Sequence, residues 1–351
     1  MAATETIPTE TETITVSVIV PARNEEVCLA ACLESLVAQD SVPFEIIVVD
    51  DHSTDRTREI AGSFTATNPG KLRVVEAGPL PDGWTGKNNA VTAGARAARG
   101  EWLLFTDADT VHLPGSLARA LKEARDNNAD MLSYSPEQIA VTFWEMAVLP
   151  VVFAELARQY PPSRVSDPNS LAAAANGQYI LVKREAYDAV GGHAAIADSI
   201  LEDVALAHAI KASGRRIRFR YAADAVRTRM YRNFRQLRDG WTKNLALLFP
   251  HPLRLAAKTL ALWTLPWIFL AFNPVVRPSW WNSLWILTFG RNIGVLRRAN
   301  FDLAMEFLGA VFGMPMFAYL LLRSKRAHQK GEIAWKGRTY SDKASTLATG
   351  Y

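Results

Sequence analysis

The stretch WLLFTDAD, residues 102–109, decides the fold that we expect for this chain. An apolar run ends at Phe105, and two carboxylates separated by one small residue, Asp107 and Asp109, follow it. A strand presents residues i and i+2 on one face, so both carboxylates would point at one hard cation. Cations with oxygen ligands commonly hold diphosphates in proteins, which indicates nucleotide-sugar chemistry. By itself, an acidic pair after a strand is also typical of a solvated loop or a helix cap.

Two apolar runs upstream predict a parallel sheet. Residues 16–21 and 45–51 are near-continuous apolar runs, as strands covered by helices on both faces should be. Residues 25–38 carry apolar side chains at helical spacing between them, which completes a strand-helix-strand unit. The sequence therefore predicts an α/β domain with a mostly parallel sheet.

The second of these runs ends in an acidic pair that should lie near the first one. Ser53 or Thr54 would cap a following helix that runs to about Ala66. Ligands of open parallel sheets bind just outside the carboxyl ends of the strands. Asp51 and Asp109 are therefore expected to face one crevice.

Four motifs, in this order and at this spacing, resemble those of the family 2 glycosyltransferases with the GT-A fold. They are VSVIVPARNEE at 16–26, VVDDHSTD at 48–55, GKNNA at 86–90 and TDAD at 106–109. The resemblance covers residues 14–250 and implies a Rossmann-like, mostly parallel sheet with helices on both faces, joined to C-terminal membrane-associated helices.

Further motifs resemble the membrane-associated members that glycosylate polyisoprenoid lipids, such as the carotenoid and hopanoid-associated glycosyltransferases. These motifs are GWTGK at 83–87, FWE at 143–145, ANG at 175–177 and WKGR at 335–338. This resemblance implies a nucleotide-sugar donor, with a UDP-hexose favoured, and as acceptor a hydroxyl or carboxyl group of a membrane lipid.

The resemblance also implies a donor site. The residues that it places there are Pro21, Arg23 and Glu25 beside the base, Asp51 on the uracil or ribose, Asp107 on the ribose side, and Lys87 on a phosphate. Asp109 would bind a divalent metal, Mn2+ or Mg2+, on the diphosphate. For Lys87 the alternative is an ordinary surface lysine.

A separate carboxylate is expected to act as the catalytic base. The stretch SILEDVAL at 199–206 resembles the Glu-Asp motif of the family at the start of a helix. Asp203 would remove the proton of the acceptor hydroxyl, with Glu202 as its supporting neighbour, and the sugar would be transferred with inversion. The alternative is that both acids only favour a helix N-terminus, an effect of about 0.3 to 1 kcal/mol.

The stretch RQLRDGWTK at 235–243 resembles, without matching, the Gln-x-x-Arg-Trp element of processive members. Gln236 is present, but Asp239 and Gly240 stand where Arg and Trp would be expected, which favours a single sugar transfer over polymer synthesis. Trp241 would stack on an acceptor or a sugar, or would be a membrane-interface tryptophan. The arginines between 227 and 238 would meet phosphates or anionic lipid headgroups.

Two other functions fit the sequence less well. A tethered protein that binds nucleotide-sugars without turnover would be expected to lack Asp109 or Asp203, and both are present. A nucleotidyltransferase would be expected to carry a glycine-rich loop after the first strand, and residues 21–25 contain no glycine.

The composition of the chain limits its size class, its partners and its compartment. The 351 residues are 49% hydrophobic and 21% charged, enough for one large core and a smaller unit. The net charge of +4 is concentrated beside apolar segments, which favours an acidic membrane surface over nucleic acid as partner. Cys28 and Cys32 are expected to be free thiols on the core side of the first helix, in a reducing compartment.

The two ends of the chain differ from its middle. Residues 1–13 are expected to be disordered and do not resemble a signal peptide, so a cytoplasmic catalytic domain over 14–250 is predicted. Residues 251–322 should form transmembrane or interfacial helices, and residues 323–351 a basic cytoplasmic tail.

Three apolar runs lie within the C-terminal region, at 255–272, 280–296 and 303–322. The third is the best candidate to cross about 30 Å of hydrocarbon. If the catalytic domain and the basic tail both lie on the cytoplasmic side of the inner membrane, the number of crossings is even, so two are favoured over three. The apolar segment 139–156 would be ordinary core or the lining of a path for the acceptor.

Overall fold

The structure is a computed structural model, and it describes residues 14–271, 279–297, 301–331, 333–335 and 338–340. The predicted disorder of residues 1–13, the last part of the predicted basic tail, residues 341–351, and the centre of the WKGR motif lie outside the described residues.

The strands, in chain order, are β1 (Val16–Ala22), β2 (Phe44–Asp50), β3 (Leu72–Glu76), β4 (Trp102–Phe105), β5 (Thr110–His112), β6 (Met131–Ser135), β7 (Glu137–Gln138), β8 (Ile180–Lys183), β9 (Ile217–Tyr221), β10 (Val226–Thr228), β11 (Ile333–Trp335) and β12 (Arg338–Tyr340). The helices are α1 (Leu29–Val37), α2 (Thr57–Thr67), α3 (Gly86–Ala97), α4 (Ser116–Asp126), α5 (Phe143–Gln159), α6 (Pro162–Val165), α7 (Arg184–Ala189), α8 (Glu202–Ala212), α9 (Phe234–Leu248), α10 (Pro252–Ala271), α11 (Ser279–Leu296), α12 (Leu303–Leu308) and α13 (Met314–Lys330).

Seven strands form the central sheet, in the order β3-β2-β1-β4-β8-β6-β9. All of them run in one direction except β8, which is antiparallel to both of its neighbours. Alternate residues of each strand enter different cores: Val18 of β1 packs on the side of α1 and α4, and Ile19 on the side of α3 and α8. The predicted α/β fold, with helices on both faces of a mostly parallel sheet, is confirmed.

Two of the predicted helices begin later than expected. Residues 25–28 form a turn, so α1 starts at Leu29; Cys28 precedes the helix, and only Cys32 is buried in the core. Ser53 and Thr54 do not cap α2, because both hydrogen bond to the loop after β1 through Asn24.

The acidic stretch after β4 is a turn rather than a strand. β4 ends at Phe105 and β5 begins at Thr110, whose N–H donates to the carbonyl of Asp107 at 3.2 Å. Strand alternation was therefore the wrong reason to expect Asp107 and Asp109 on one face. The turn is held by a small second sheet, in which β10 pairs with β5 and β7 above the edge of the main sheet.

The C-terminal helices form a third hydrophobic core with α5 and α9. Within the described residues, two helical segments are long and apolar enough to cross a membrane, Pro252–Ala271 and Leu303–Lys330. The second comprises α12, a π-helical turn at Gly309–Gly313, and α13. The expected start of the tail at residue 323 falls inside α13, because this helix continues to pack on α9 down to His328.

Small residues bring this second segment against the catalytic part. A Cβ atom on Gly313 would overlap the carbonyl oxygen of Ala147 in α5, and one on Gly309 would come within 2.9 Å of Leu296. Glycines four residues apart allow two helix backbones to approach this closely. The candidate membrane segment and α5 are therefore packed backbone to backbone.

Candidate active site

A cavity of about 310 Å3 opens at the carboxyl edge of the main sheet. All ten side chains that the sequence analysis selected line it: Pro21, Arg23, Glu25, Asp51, Lys87, Asp107, Asp109, Glu202, Asp203 and Trp241. They come from the ends of β1, β2 and β4 and from the first turns of α3 and α8, with α9 as the opposite wall. Their roles remain predictions, but their convergence on one cavity is a property of the fold.

The loops after β1 and β2 build one end of the cavity. The guanidinium of Arg23 donates to the backbone carbonyl of Asp51 at 2.6 Å, which ties the two loops together. Asn24 and His52 both have positive φ values, 54° and 56°, so each loop turns sharply at its strand end. The Asp51 side chain is almost fully buried at this junction.

Lys87 lies at the centre of the site, in the first turn of α3. Its ammonium is 2.7 Å from a carboxylate oxygen of Asp107 and 2.7 Å from one of Glu202. Burial lowers the pKa of Lys87, but these two carboxylates raise it more, so the pKa lies well above its usual value. The alternative of an ordinary surface lysine is excluded by these contacts.

The N-terminus of α3 also holds the loop that leads into α8. Thr85 caps the helix by accepting from the N–H of Asn88. The buried amide of Asn88 in turn donates to the carbonyls of Ile196, Ala197 and Ser199 at 2.9 to 3.0 Å. The GKNNA motif therefore positions both Lys87 and the start of α8.

Asp203 is held in a fixed orientation by two backbone donors. One carboxylate oxygen accepts from the N–H of Gly177 at 2.9 Å, and the other from the N–H of Val204 at 2.8 Å. Burial and the charge of Glu202 together raise the pKa of Asp203 to about 6, against the opposing charge of Lys87. A carboxylate with this pKa is ionised at pH 7 and is more basic than an ordinary aspartate.

Glu202 differs from its neighbour in its electrostatic surroundings. Burial raises its pKa, but the charges of Lys87 and Lys243 outweigh burial, so the pKa of Glu202 lies below its usual range. Gly177 faces the same cluster, since a Cβ there would lie 3.1 Å from the Lys87 ammonium and 3.4 Å from Glu202. The ANG motif thus supplies a residue small enough for these charges to meet.

The carboxylates that follow β4 fit a metal ion that is bound partly by the protein and partly by the phosphates of a substrate. No group of three or more His, Cys, Asp or Glu side chains able to hold a metal occurs among the described residues. Asp107, which is paired with Lys87, and Asp109 both line the cavity. Mg2+ and similar cations are often bound through one or two carboxylates plus substrate phosphates. Asp109 together with a diphosphate fits that pattern.

Trp241 belongs to the buried wall of the cavity rather than to a membrane interface. Only 2% of it is exposed, and it makes edge-to-face contacts with Phe153 and Tyr231, with ring centroids 6.3 and 5.9 Å apart. Its indole N–H is buried and has no hydrogen-bond partner. The membrane-interface alternative is therefore excluded.

The wall opposite the strand ends is formed by α5, the residue after it and α9. Phe153 and Leu156 belong to the segment 139–156, for which the sequence left core and cavity lining open, and together with Leu248 they give this wall its apolar part. Tyr160, Lys243, Asn244 and Leu248 were missed, because their place depends on the packing of distant segments. The segment 139–156 is thus both core, through Val148 and Val152, and cavity lining.

The arginines after β10 have carboxylate partners within the protein. Arg229 pairs with the buried Glu145 at 3.2 Å, and Arg238 pairs with Asp239 at 2.9 Å. Glu145 also completes a capping box with Thr142 at the start of α5. The first pair ties the segment after β10 to the start of α5, and the expectation that the arginines meet phosphates or headgroups stays a prediction.

Comparison with known proteins gives a consistent result. Residues 17–191 match the family model described as Glycosyl transferase family 2. A 4,4'-diaponeurosporenoate glycosyltransferase of Staphylococcus aureus strain MRSA252 is 28% identical over 348 residues, covering 93% of this chain and 88% of that protein. The protein of the same name from strain USA300 is 30% identical over 239 residues, 66% of this chain and 60% of that protein.

One solved structure supports the fold. The mannosyltransferase PcManGT from Pyrobaculum calidifontis, in complex with GDP-Man and Mn2+, superposes with a TM-score of 0.54 at 20% identity, over 90% of this chain and 87% of that one. The predicted GT-A fold is confirmed by this likeness.

Proposed function

Since this chain is a glycosyltransferase whose residues 17–191 form a family 2 domain, we propose that it transfers a single sugar from a nucleotide-sugar to a membrane lipid, with inversion at the anomeric carbon. A UDP-hexose is the favoured donor. The acceptor is a hydroxyl or carboxyl group of a polyisoprenoid, carotenoid or hopanoid type of lipid.

The position of Asp203 is the observation that carries this proposal. Its carboxylate is fixed by Gly177 and Val204 in the same cavity as Lys87 and Asp109, opposite a largely apolar wall. With a pKa of about 6 it is ionised at pH 7 and accepts a proton more readily than an ordinary aspartate. This is what a base needs in order to activate a hydroxyl beside an anomeric carbon.

The reaction follows from these positions. The acceptor oxygen forms a bond to the anomeric carbon from the face opposite the diphosphate, and its proton passes to Asp203. The bond from the anomeric carbon to the phosphate oxygen breaks, and its electron pair stays on that oxygen. Inversion results because one displacement occurs. A carboxylate acceptor would need no proton transfer, since it is already ionised at pH 7.

We assign the donor to the end of the cavity formed by the loops after β1, β2 and β4. Asp109 would hold Mn2+ or Mg2+ with the diphosphate, and the metal would supply positive charge to the leaving phosphate. The complex of PcManGT with GDP-Man and Mn2+ supports this assignment by analogy. Lys87 would exchange part of its contact with Asp107 for a phosphate.

We assign the acceptor to the apolar wall and place the protein at the inner membrane, with its catalytic part in the cytoplasm. Phe153, Leu156 and Leu248 provide a surface suited to a hydrocarbon chain. The two helical segments long enough to span a membrane support the location. The diaponeurosporenoate glycosyltransferases among its relatives support a carotenoid-type acceptor.

Nucleotide release by the full-length protein in detergent tests this function. UDP-, GDP- and dTDP-sugars are supplied with Mn2+ or Mg2+ and a bacterial lipid extract. We expect lipid-dependent release from one donor, and loss of that release in Asp203→Asn but not in Asp126→Asn, which alters an exposed carboxylate of α4. A hydroxyl acceptor is used for this comparison because a carboxylate acceptor does not require the base.

Each other outcome points to a different function. Metal-dependent donor binding without release from any donor would favour a binding protein without turnover. A product that carries chains of sugars would favour a processive synthase. Full activity of Asp203→Asn toward a hydroxyl acceptor would remove Asp203 from the role of base.

A further inference from the structure

Helix α9 brings a second cation, Lys243, into the cavity that holds Lys87. Both side chains line the same space, with Glu202, Asp107 and Asp203 around them. We propose that Lys243 binds the diphosphate of the donor and stabilises the nucleoside diphosphate as it leaves. This inference rests on the proposed function and adds a residue to which the sequence analysis assigned no role.

Lys243 shares the cavity with Lys87, Asp107 and Asp109, which are assigned to the donor. Burial lowers the pKa of Lys243, and the charge of Lys87 lowers it further, while Glu202 raises it, followed by Asp107 and Asp203. The charge of Lys243 also lowers the pKa of Glu202, which is the ion-pair partner of Lys87. The two lysines therefore belong to one group of charges in this cavity.

Lys87 and Lys243 bring two ammonium groups into a cavity that also holds the carboxylates of Asp107, Glu202 and Asp203. Burial and the charge of Lys87 both disfavour the charged form of Lys243. A diphosphate bound between the two lysines would stabilise both of their charges, because it carries at least two negative charges close together. A neutral sugar or a hydrocarbon chain would not.

The backbone at Lys243 is fixed by α13. The carbonyl of Lys243 lies 2.8 Å from the imidazole Nε2 of His328. The hydroxyl of Ser324 donates to the carbonyl of Thr242 at 2.6 Å and accepts from the N–H of Ala246 at 2.8 Å. The turn of α9 that carries Lys243 is therefore held by two side chains of α13, as a residue that must meet a phosphate requires.

The chemistry explains why such a cation would act on the rate as well as on binding. When the bond between the anomeric carbon and the phosphate oxygen breaks, its electron pair remains on that oxygen, and the leaving nucleoside diphosphate gains one negative charge. An ammonium beside it therefore binds the transition state more strongly than the donor. Lys243 neither gives nor takes a proton in this step.

Nucleotide binding tests the proposal without any acceptor. UDP, GDP and dTDP and their monophosphates are titrated calorimetrically into wild-type protein, Lys243→Met, Lys243→Arg and the exposed control Lys122→Met of α4. We expect Lys243→Met to lose about tenfold or more in affinity for the diphosphate that binds wild type best, equivalent to 1.4 kcal/mol. Its affinity for the monophosphate should change by less than about twofold, which also shows that the cavity is intact. Lys243→Arg should recover most of the loss.

Kinetics with the lipid acceptor provide the second readout. The kcat of Lys243→Met should fall by about a hundredfold, the size found when one group that stabilises developing charge is removed. Unchanged diphosphate affinity, or equal losses for the diphosphate and the monophosphate, would overturn the proposal. Absence of transfer by wild type with every donor would overturn the proposed function instead, and the binding comparison would still decide the role of Lys243.

Discussion

Replacing Glu202 with glutamine should shift the pH dependence of transfer to lower pH. Asp203 must be ionised to accept a proton, so kcat/KM for a hydroxyl acceptor should rise as pH increases through about 6 and level off above it. Burial raises the pKa of Asp203 from 3.8 to about 6, and the negative charge of Glu202 contributes to that rise. Removing the charge while keeping the shape of the side chain should therefore lower the pKa.

The size of this shift follows from the removal of one neighbouring charge. Burial is the largest cause of the raised pKa and remains in the variant, whereas the charge of Glu202 is lost. Loss of one nearby like charge should move the acidic side of the pH profile by about one pH unit, equivalent to about 1.4 kcal/mol. The plateau rate should fall, because a weaker base accepts the proton less readily.

The acidic limb is the part of the pH–rate profile in which kcat/KM rises with pH. It is measured from initial rates between pH 5 and 9, at constant ionic strength and saturating donor. Glu185→Gln, which removes an exposed carboxylate from α7, is the matched control and should leave the limb unchanged. A Glu202→Gln limb that stays at the wild-type pH, or moves to higher pH, would refute the electrostatic coupling between Glu202 and Asp203.

Three further predictions concern the metal and the helix contacts. Asp109→Ala should weaken Mn2+-dependent donor binding about tenfold or more by calorimetry, while metal-free nucleotide binding changes little; equal loss with and without metal would contradict this. Gly313→Ala should lower the free energy of unfolding in detergent by about 1 to 3 kcal/mol, since its methyl overlaps the carbonyl of Ala147, whereas Gly290→Ala has open space and should not be destabilising. Ser324→Ala should lower the free energy of unfolding by about 1 to 3 kcal/mol, because two hydrogen bonds that join α13 to α9 are lost, each worth about 0.5 to 1.5 kcal/mol. An unchanged thermal unfolding transition would argue against this contribution.

The sequence predicted the strands and the site residues that depend on local pattern. The apolar runs that became β1, β2 and β4 need no distant partner to be recognised, and their order placed Asp51 and Asp109 at one edge of the sheet. The family motifs supplied Lys87 and Asp203, whose convergence on one cavity the structure then showed.

The parts that sequence could not predict depend on contacts between distant segments. The start of α2 is delayed because Ser53 and Thr54 bond to Asn24, about thirty residues earlier in the chain. Lys243 stands at the end of the stretch 235–243, which does not match its family element, and its place in the cavity follows from the packing of α9 against α5 and α13. The structure has no boundary at residue 322, where the apolar region of the sequence ends, because α13 continues beyond it and stays packed on α9.

The contact between α13 and α9 has a practical consequence for how this enzyme can be handled. Ser324 and His328 belong to a segment that is long enough to span a membrane. Both also hydrogen bond to the turn of α9 that forms one wall of the cavity. A soluble fragment that ends after α9 would lose these hydrogen bonds. An unrelated membrane anchor in place of the segment Leu303–Lys330 would not restore them. A detergent or lipid that shifts α13 would also shift the position of Lys243. The rate of transfer should therefore depend on the detergent or lipid in which the enzyme is assayed.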